Sequence, residues 1–167
     1  MNQPELDAER LYAQLESKVA SAVAGTPRLA IVGIYSGGAW LADRLARHLG
    51  VNEVGYIDVS FYRDDYAEKG LHAEVRPSHI PFEVEGATIL LVDDVLYTGR
   101  TTRAAINTLF DYGRPAKVML AALLDRGGRQ LPVAADFVAE KITLEKNQIL
   151  ILQKAEDGRL SLTVDHA

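Results

Sequence analysis

The 167-residue sequence predicts an α/β fold, a central and mostly parallel sheet with helices on both faces. Three observations carry that prediction. The strand-like runs at Leu29–Ile34, 88–92 and Lys117–Asp125 are apolar along their whole length, as strands buried on both faces require. Helical patterns follow the first two runs within a few residues. The connecting turns, 35–38 and 97–102, contain glycine and fall at the C-terminal edge of the sheet, where open sheets of this kind bind ligands.

The elements follow in order. Leu6, Leu11, Leu15, Val19 and Val23 recur at helical spacing, which predicts an amphipathic N-terminal helix over 1–25, with Pro4 in its first turn and Gly25 as its stop. Strand Leu29–Ile34 leads through a Ser-Gly-Gly turn into a helix that places Trp40, Leu41, Leu45 and Leu49 on one side and ends at Gly50. "VGYIDVSFY" reads as a further strand. The polar stretch 62–85 lacks periodicity, and loops of that length in compact domains act as lids or binding loops. Strand 88–92, a polar turn and a helix with Ala104, Ala105, Leu109 and Phe110 come next, then the strand "KVMLAALLD" and a short strand or turn at "DFVAEKI". A C-terminal hairpin over 147–165 turns at Asp157-Gly158. The whole of 1–167 is expected to form one domain.

Composition narrows the function. Hydrophobic residues make up 48% and charged residues 25%, enough for a full core. Cysteine is absent, which excludes disulfides, thiolate nucleophiles and cysteine-based metal sites and points to a reducing, cytoplasmic location. The charged start, "MNQPELDAERLYAQLESK", lacks the apolar core of a signal peptide, and no run approaches the roughly 18 apolar residues of a membrane span. A net charge of -5 gives no general support to nucleic-acid binding, although a local basic face is compatible with it.

The stretch "ILLVDDVLYTGRTT", residues 89–102, carries the chemistry. An apolar strand delivers Asp93 and Asp94 to the rim, and a helix starts at once behind Thr98, Gly99, Arg100, Thr101 and Thr102. A helix N-terminus gathers unsatisfied N–H groups and the positive end of its dipole, so this turn is a cradle for a phosphate. The two carboxylates beside it suit the vicinal hydroxyls of a sugar attached to that phosphate. Neither the Walker spacing nor a G-x-G-x-x-G fingerprint is present. Paired acids also cap helices; their combination with an apolar strand and T-G-x-T favours a site.

These residues resemble the thirteen-residue phosphoribosyl pyrophosphate (PRPP) motif of type I phosphoribosyltransferases. "FYRDD", "VDDVLYTGRT", "YGRP", "LLDRGGRQLP" and "ADFV" further resemble the PyrR family of pyrimidine operon regulators with uracil phosphoribosyltransferase activity, over roughly residues 28–154. The resemblance implies a type I phosphoribosyltransferase fold with a flexible loop over the site. It implies conversion of uracil and PRPP to UMP and pyrophosphate, with Mg²⁺ carried on PRPP and no metal held directly by the protein. It assigns Asp93 and Asp94 to the ribose hydroxyls, Tyr97 to Thr102 to the 5'-phosphate, and Tyr35, Ser36, Gly37 and Gly38 to the departing pyrophosphate. It points to Phe137 for stacking on the base and to the main chain of Val138 for reading its edge. Arg63, Asp64 and Arg76 belong to the 62–85 loop, which is expected to close over PRPP, Arg63 with a catalytic role. Related purine enzymes often carry an aspartate where this chain has Tyr97, and a phenol is no carboxylate base at neutral pH. Catalysis is therefore expected to rest on electrostatics and orientation.

The same resemblance implies UMP-responsive regulation of pyrimidine genes through an mRNA leader. Candidate cations for RNA are Arg44, Arg47 and His48, at helical spacing, together with Arg126 and Arg129. A homo-oligomer, dimer or higher, is expected. The alternative is a type I enzyme for another base, hypoxanthine, guanine or orotate, without an RNA role.

Overall fold

The computed structural model describes residues 6–59 and 78–166. Helix α1 (Ala8–Val23) begins later than the sequence pattern predicts, because Asp7 caps it: the Asp7 carboxylate accepts the N–H groups of Glu9 and Arg10. Pro4 lies outside the described residues. Gly25 does follow the helix, with a left-handed φ of 75°.

Strand β1 (Leu29–Ile34), helix α2 (Gly37–Leu49) and strand β2 (Val54–Ile57) come next, then β3 (Thr88–Leu96), α3 (Arg100–Asp111), β4 (Lys117–Asp125) and β5 (Phe137–Lys141). Among the described residues β1 to β5 form one parallel sheet in the order β2-β1-β3-β4-β5, and β6 (Gln148–Lys154) with β7 (Leu160–His166) forms a separate antiparallel hairpin. The hairpin turns at Gly158, whose φ is 89°.

Side chains alternate between two buried clusters along each central strand. Ile31, Leu90, Val92, Met119, Ala121 and Leu123 join α1, α2 and the hairpin on one face. Ala30, Val32, Ile34, Ile89, Leu91, Leu120 and Ala122 meet Ala104, Ala105 and Leu109 of α3 on the other. Both faces being covered explains why these strands read as unbroken apolar runs. Phe110 departs from the sequence reading: it is 53% exposed rather than part of the apolar side of α3. With this strand order the crossovers reverse direction between β1 and β3, which opens a crevice beyond their C-terminal ends.

Candidate active site

Both glycine turns follow strands that end on that crevice, and the first touches the paired acids of β3. β3 does not stop at Val92; it runs on to Leu96, with Asp93 level with Ala122 and Leu96 level with Asp125 on β4. The acids therefore sit inside a strand rather than in a loop, only 5% and 9% exposed. One oxygen of each is already engaged: Asp93 Oδ1 accepts the Asp94 N–H and Asp94 Oδ1 the Val95 N–H, both at 2.8 Å. The other Asp94 oxygen faces Gly37, where a Cβ would lie 2.5 Å from Oδ2. A Cβ on Gly38 would run into the Val92 carbonyl and lie 3.1 Å from the Asp93 Cα. Glycine at 37 and 38 is what lets the start of α2 press against the paired acids.

Tyr35 leads into this turn through a cis Tyr35–Ser36 peptide. Its ring lies 5.5 Å from that of Tyr56 on β2, and its N–H donates to the Ile57 carbonyl at 3.0 Å. The Tyr56 hydroxyl donates to the Asp43 carboxylate of α2. Burial, with that carboxylate beside it, pushes the Tyr56 phenol up to about 12. Ser36 caps α2 through its main-chain carbonyl, which accepts the Ala39 N–H at 3.1 Å.

The second turn is built around Gly99, the N-cap of α3, with φ 94°. The glycine is needed for that left-handed backbone and for the Val133 side chain behind it, 3.2 Å from where a Cβ would be. The Thr98 hydroxyl accepts the Arg100 N–H at 3.2 Å. Thr102 is 1% exposed, and its buried hydroxyl oxygen has no partner among the described residues. A buried hydroxyl without a partner is costly in a folded chain. Thr101 is half-buried and Arg100 exposed, its Nε donating to the Gln130 amide oxygen at 2.8 Å.

The segment at the end of β4, "DRGGRQLP", braces this turn, and both of its arginines are engaged within the fold. Arg129 donates to the Tyr97 carbonyl and the Val133 carbonyl, each at 2.7 Å, and pairs with Asp125 at 2.7 Å. Burial alone would raise the Asp125 carboxyl; Arg129 and the Gly127 N–H outweigh it and hold that carboxyl below the usual range. The N–H groups of Gln130 and Leu131 both donate to the Thr98 carbonyl. Arg126 stacks 4.0 Å from the centre of the Tyr97 ring and donates to the carbonyls of Gln148 (2.7 Å) and Glu145 (3.0 Å). Arg44 is likewise committed: it forms a two-pronged pair with Glu9 at 2.7 and 2.9 Å, donates to the Gly158 carbonyl and covers the Tyr12 ring. Arg47 and His48 remain exposed, with His48 3.2 Å from Glu16.

Phe137 and Val138 open β5, and Val138 is level with Ala122 and so with Asp93. Phe137 is level with Ala121, below the acids, and packs against the cluster under α1. The Val138 carbonyl accepts the Lys18 ammonium at 2.8 Å. Residues beyond β5 also reach the rim, where the Ile142 N–H donates to the Asp125 carbonyl at 2.8 Å and Arg126 holds 145 and 148. Arg63, Asp64 and Arg76 lie outside the described residues. The bracing role of Arg126 and Arg129 was missed from sequence; its one signal is the pair of glycines between them, both of which take positive φ.

The sequence model of the phosphoribosyl transferase domain matches residues 3–152. The protein named "Bifunctional protein PyrR" of Ralstonia nicotianae is 54% identical over 160 residues, covering 95% of this chain and 92% of that one. The protein of the same name from Thermus aquaticus is 44% identical, covering 95% and 90%. Among solved structures, the hypoxanthine phosphoribosyltransferase of Trypanosoma cruzi shares the fold with a TM-score of 0.66, at 22% identity over 90% of this chain and 85% of that one. The chain belongs to the PyrR family within the type I phosphoribosyltransferases.

Proposed function

We propose that the chain transfers the ribose 5-phosphate of PRPP to uracil, releasing pyrophosphate and forming UMP, and that UMP occupancy governs a regulatory role in pyrimidine gene expression. The observation that carries the catalytic half is the contact of Gly37 with Asp94 at the switch point, which brings two anion-holding turns and two buried carboxylates into one crevice.

Each residue then has a chemical task. The N-terminus of α3 and the buried Thr102 hydroxyl hold the 5'-phosphate, with Arg100 adding charge at its outer side. Asp93 and Asp94 accept the ribose hydroxyls and stabilise the positive charge that builds on the sugar as its bond to pyrophosphate breaks. The 35–38 turn holds the departing pyrophosphate. Carboxylate and phosphate oxygens are the donors Mg²⁺ prefers, so the rim fits a Mg-pyrophosphate, the metal supplying charge neutralisation to the leaving group. The ends of β4 and β5 take the base, with Phe137 and the main chain of Val138 assigned to it beside the residues beyond β5 that Arg126 holds. Arg63, Asp64 and Arg76 are assigned to a loop that closes over PRPP.

The regulatory half is supported by the family and by the exposure of Arg47 and His48 on α2. Self-association is supported by Phe110 and Tyr112 at the end of α3, 53% and 48% exposed. A cytoplasmic setting suits a chain without cysteine; among the described residues no helix is long and apolar enough to cross a membrane.

The test is a spectrophotometric screen of uracil, orotate, hypoxanthine and guanine with Mg-PRPP. Conversion of uracil is expected. Conversion of a purine without uracil overturns the assignment of the base. For the regulatory half, a pyrimidine-leader RNA should bind at about 50 mM salt and release as salt rises; no binding at that salt removes the role for that RNA.

A further inference from the structure

We propose that Arg126 is a positioning residue that couples the phosphate turn to the base-side wall, so that filling one half of the site strengthens binding in the other. The inference rests on the site reading given above. Arg126 leaves the end of β4 with its N–H donating to the Leu96 carbonyl at 3.0 Å, so its backbone is fixed to the strand that carries the acids. Its guanidinium then bridges two parts of the rim. On one side it lies 4.0 Å from the centre of the Tyr97 ring, the first residue of the phosphate turn. On the other, Nη1 and Nη2 reach the carbonyls of Gln148 and Glu145, and the Gln148 side chain in turn accepts the Glu145 N–H at 2.8 Å.

Tyr97 has little freedom to move without moving Arg126. A Cβ on Gly128 would lie 2.5 Å from Tyr97 Cε1, and Arg129 holds the Tyr97 carbonyl at 2.7 Å. The ring is thus wedged between Gly128 and the guanidinium. A shift of the 97–102 backbone on binding phosphate displaces the ring, and the rigid fork carries that displacement to 145–148. Arginine suits this task because its plane stacks on a ring while its edge donates two hydrogen bonds; lysine offers a single point charge. A ligand-linked coupling of this kind is reciprocal.

The test separates coupling from scaffolding. Calorimetry measures uracil binding to the wild-type protein with and without saturating ribose 5-phosphate, which fills the phosphate turn and cannot react. Ribose 5-phosphate is expected to tighten uracil binding about tenfold. Arg126→Gln and Arg126→Lys should abolish that gain while ribose 5-phosphate alone binds within about twofold of wild type. Tyr97→Leu, which removes the ring and keeps the backbone contacts, gives the same loss and serves if an Arg126 variant fails to fold. If the base screen selects another base, that base replaces uracil. Intact binding of both ligands without mutual enhancement in wild type, or full enhancement in the variants, overturns the inference alone. No binding of ribose 5-phosphate to wild type overturns the site reading with it.

Discussion

Replacing Gly37 with alanine isolates the contact between the 35–38 turn and the paired acids of β3. The added methyl would lie 2.5 Å from Asp94 Oδ2 and 2.9 Å from its Cγ, so the carboxylate must swing away. Gly37 is helical, and alanine is the better helix former. The three nearest atoms in the methyl's way all belong to the Asp94 side chain, the last of them its Cβ at 3.0 Å. What is lost is the placement of one carboxylate against the ribose, a charged contact of roughly 1.5 to 3 kcal/mol. Each ~1.4 kcal/mol is a factor of ten, so kcat/KM for PRPP should fall about 10- to 100-fold, with a smaller loss of melting temperature than Gly38→Ala causes. Gly38→Ala is the control, since its obstacle is the backbone of β3 and the fold itself should suffer. Steady-state kinetics with Mg-PRPP beside thermal unfolding reads both effects. Wild-type kcat/KM in a folded Gly37→Ala protein would refute the reasoning.

Asp94→Asn and Arg100→Ala should each lower turnover tenfold or more, each removing a charged contact of roughly 1.5 to 3 kcal/mol; unchanged rates in both would place the site elsewhere. Glu9 is held below its ordinary value of 4.5 by its hydrogen bonds to Arg44, which outweigh its partial burial. A carboxylate lowered on folding contributes stability above about pH 4.5 that is lost as the pH falls through the folded value, so melting curves should show acid destabilisation that Glu9→Gln flattens. Phe110→Ser should alter stability by no more than ~0.5 kcal/mol, because the ring is exposed. If α3 mediates self-association, the same variant lowers the mass seen by light scattering, and an unchanged oligomer rules that helix face out.

What the sequence makes legible is what one segment determines by itself. β1, β3 and β4 announce themselves because burial on both faces leaves no polar alternation, and the Asp157-Gly158 hairpin follows from a turn whose glycine needs a positive φ. The phosphate turn and the paired acids are contiguous, so their meeting needs no knowledge of the fold. The end of β3 was placed too early because carboxylates look like loop residues; the parallel partners Ala122 and Leu124 keep the strand going beneath them. The start of α1 was placed too early for a related reason, since Leu6 fits the apolar period but Asp7 ends the helix by capping it. The depth of Phe137 is not legible in the sequence: its register with Ala121, one position before the level of Asp93, is a fact of strand pairing.

The arginines teach the opposite lesson from the acids. A guanidinium has five donors and no acceptor, and which carbonyls it finds depends on segments far away in sequence. Arg44 meets Glu9 and Gly158, at separations of 35 and 114 residues; Arg126 meets Gln148 and Glu145. A spacing argument sees only their charge and assigns them to an anion outside the protein. Inside the fold the same donors close gaps between elements that share no backbone hydrogen bonds. Arg44 joins α1, α2 and the hairpin, and the 126–129 pair joins the phosphate turn to the rim beyond β5. Of the candidate RNA cations, Arg47 and His48 are exposed, whereas Arg44, Arg126 and Arg129 are engaged within the fold. That is why a variant at Arg126 or Arg129 that loses regulation cannot be read as loss of an RNA contact until PRPP and base binding have been measured in the same protein.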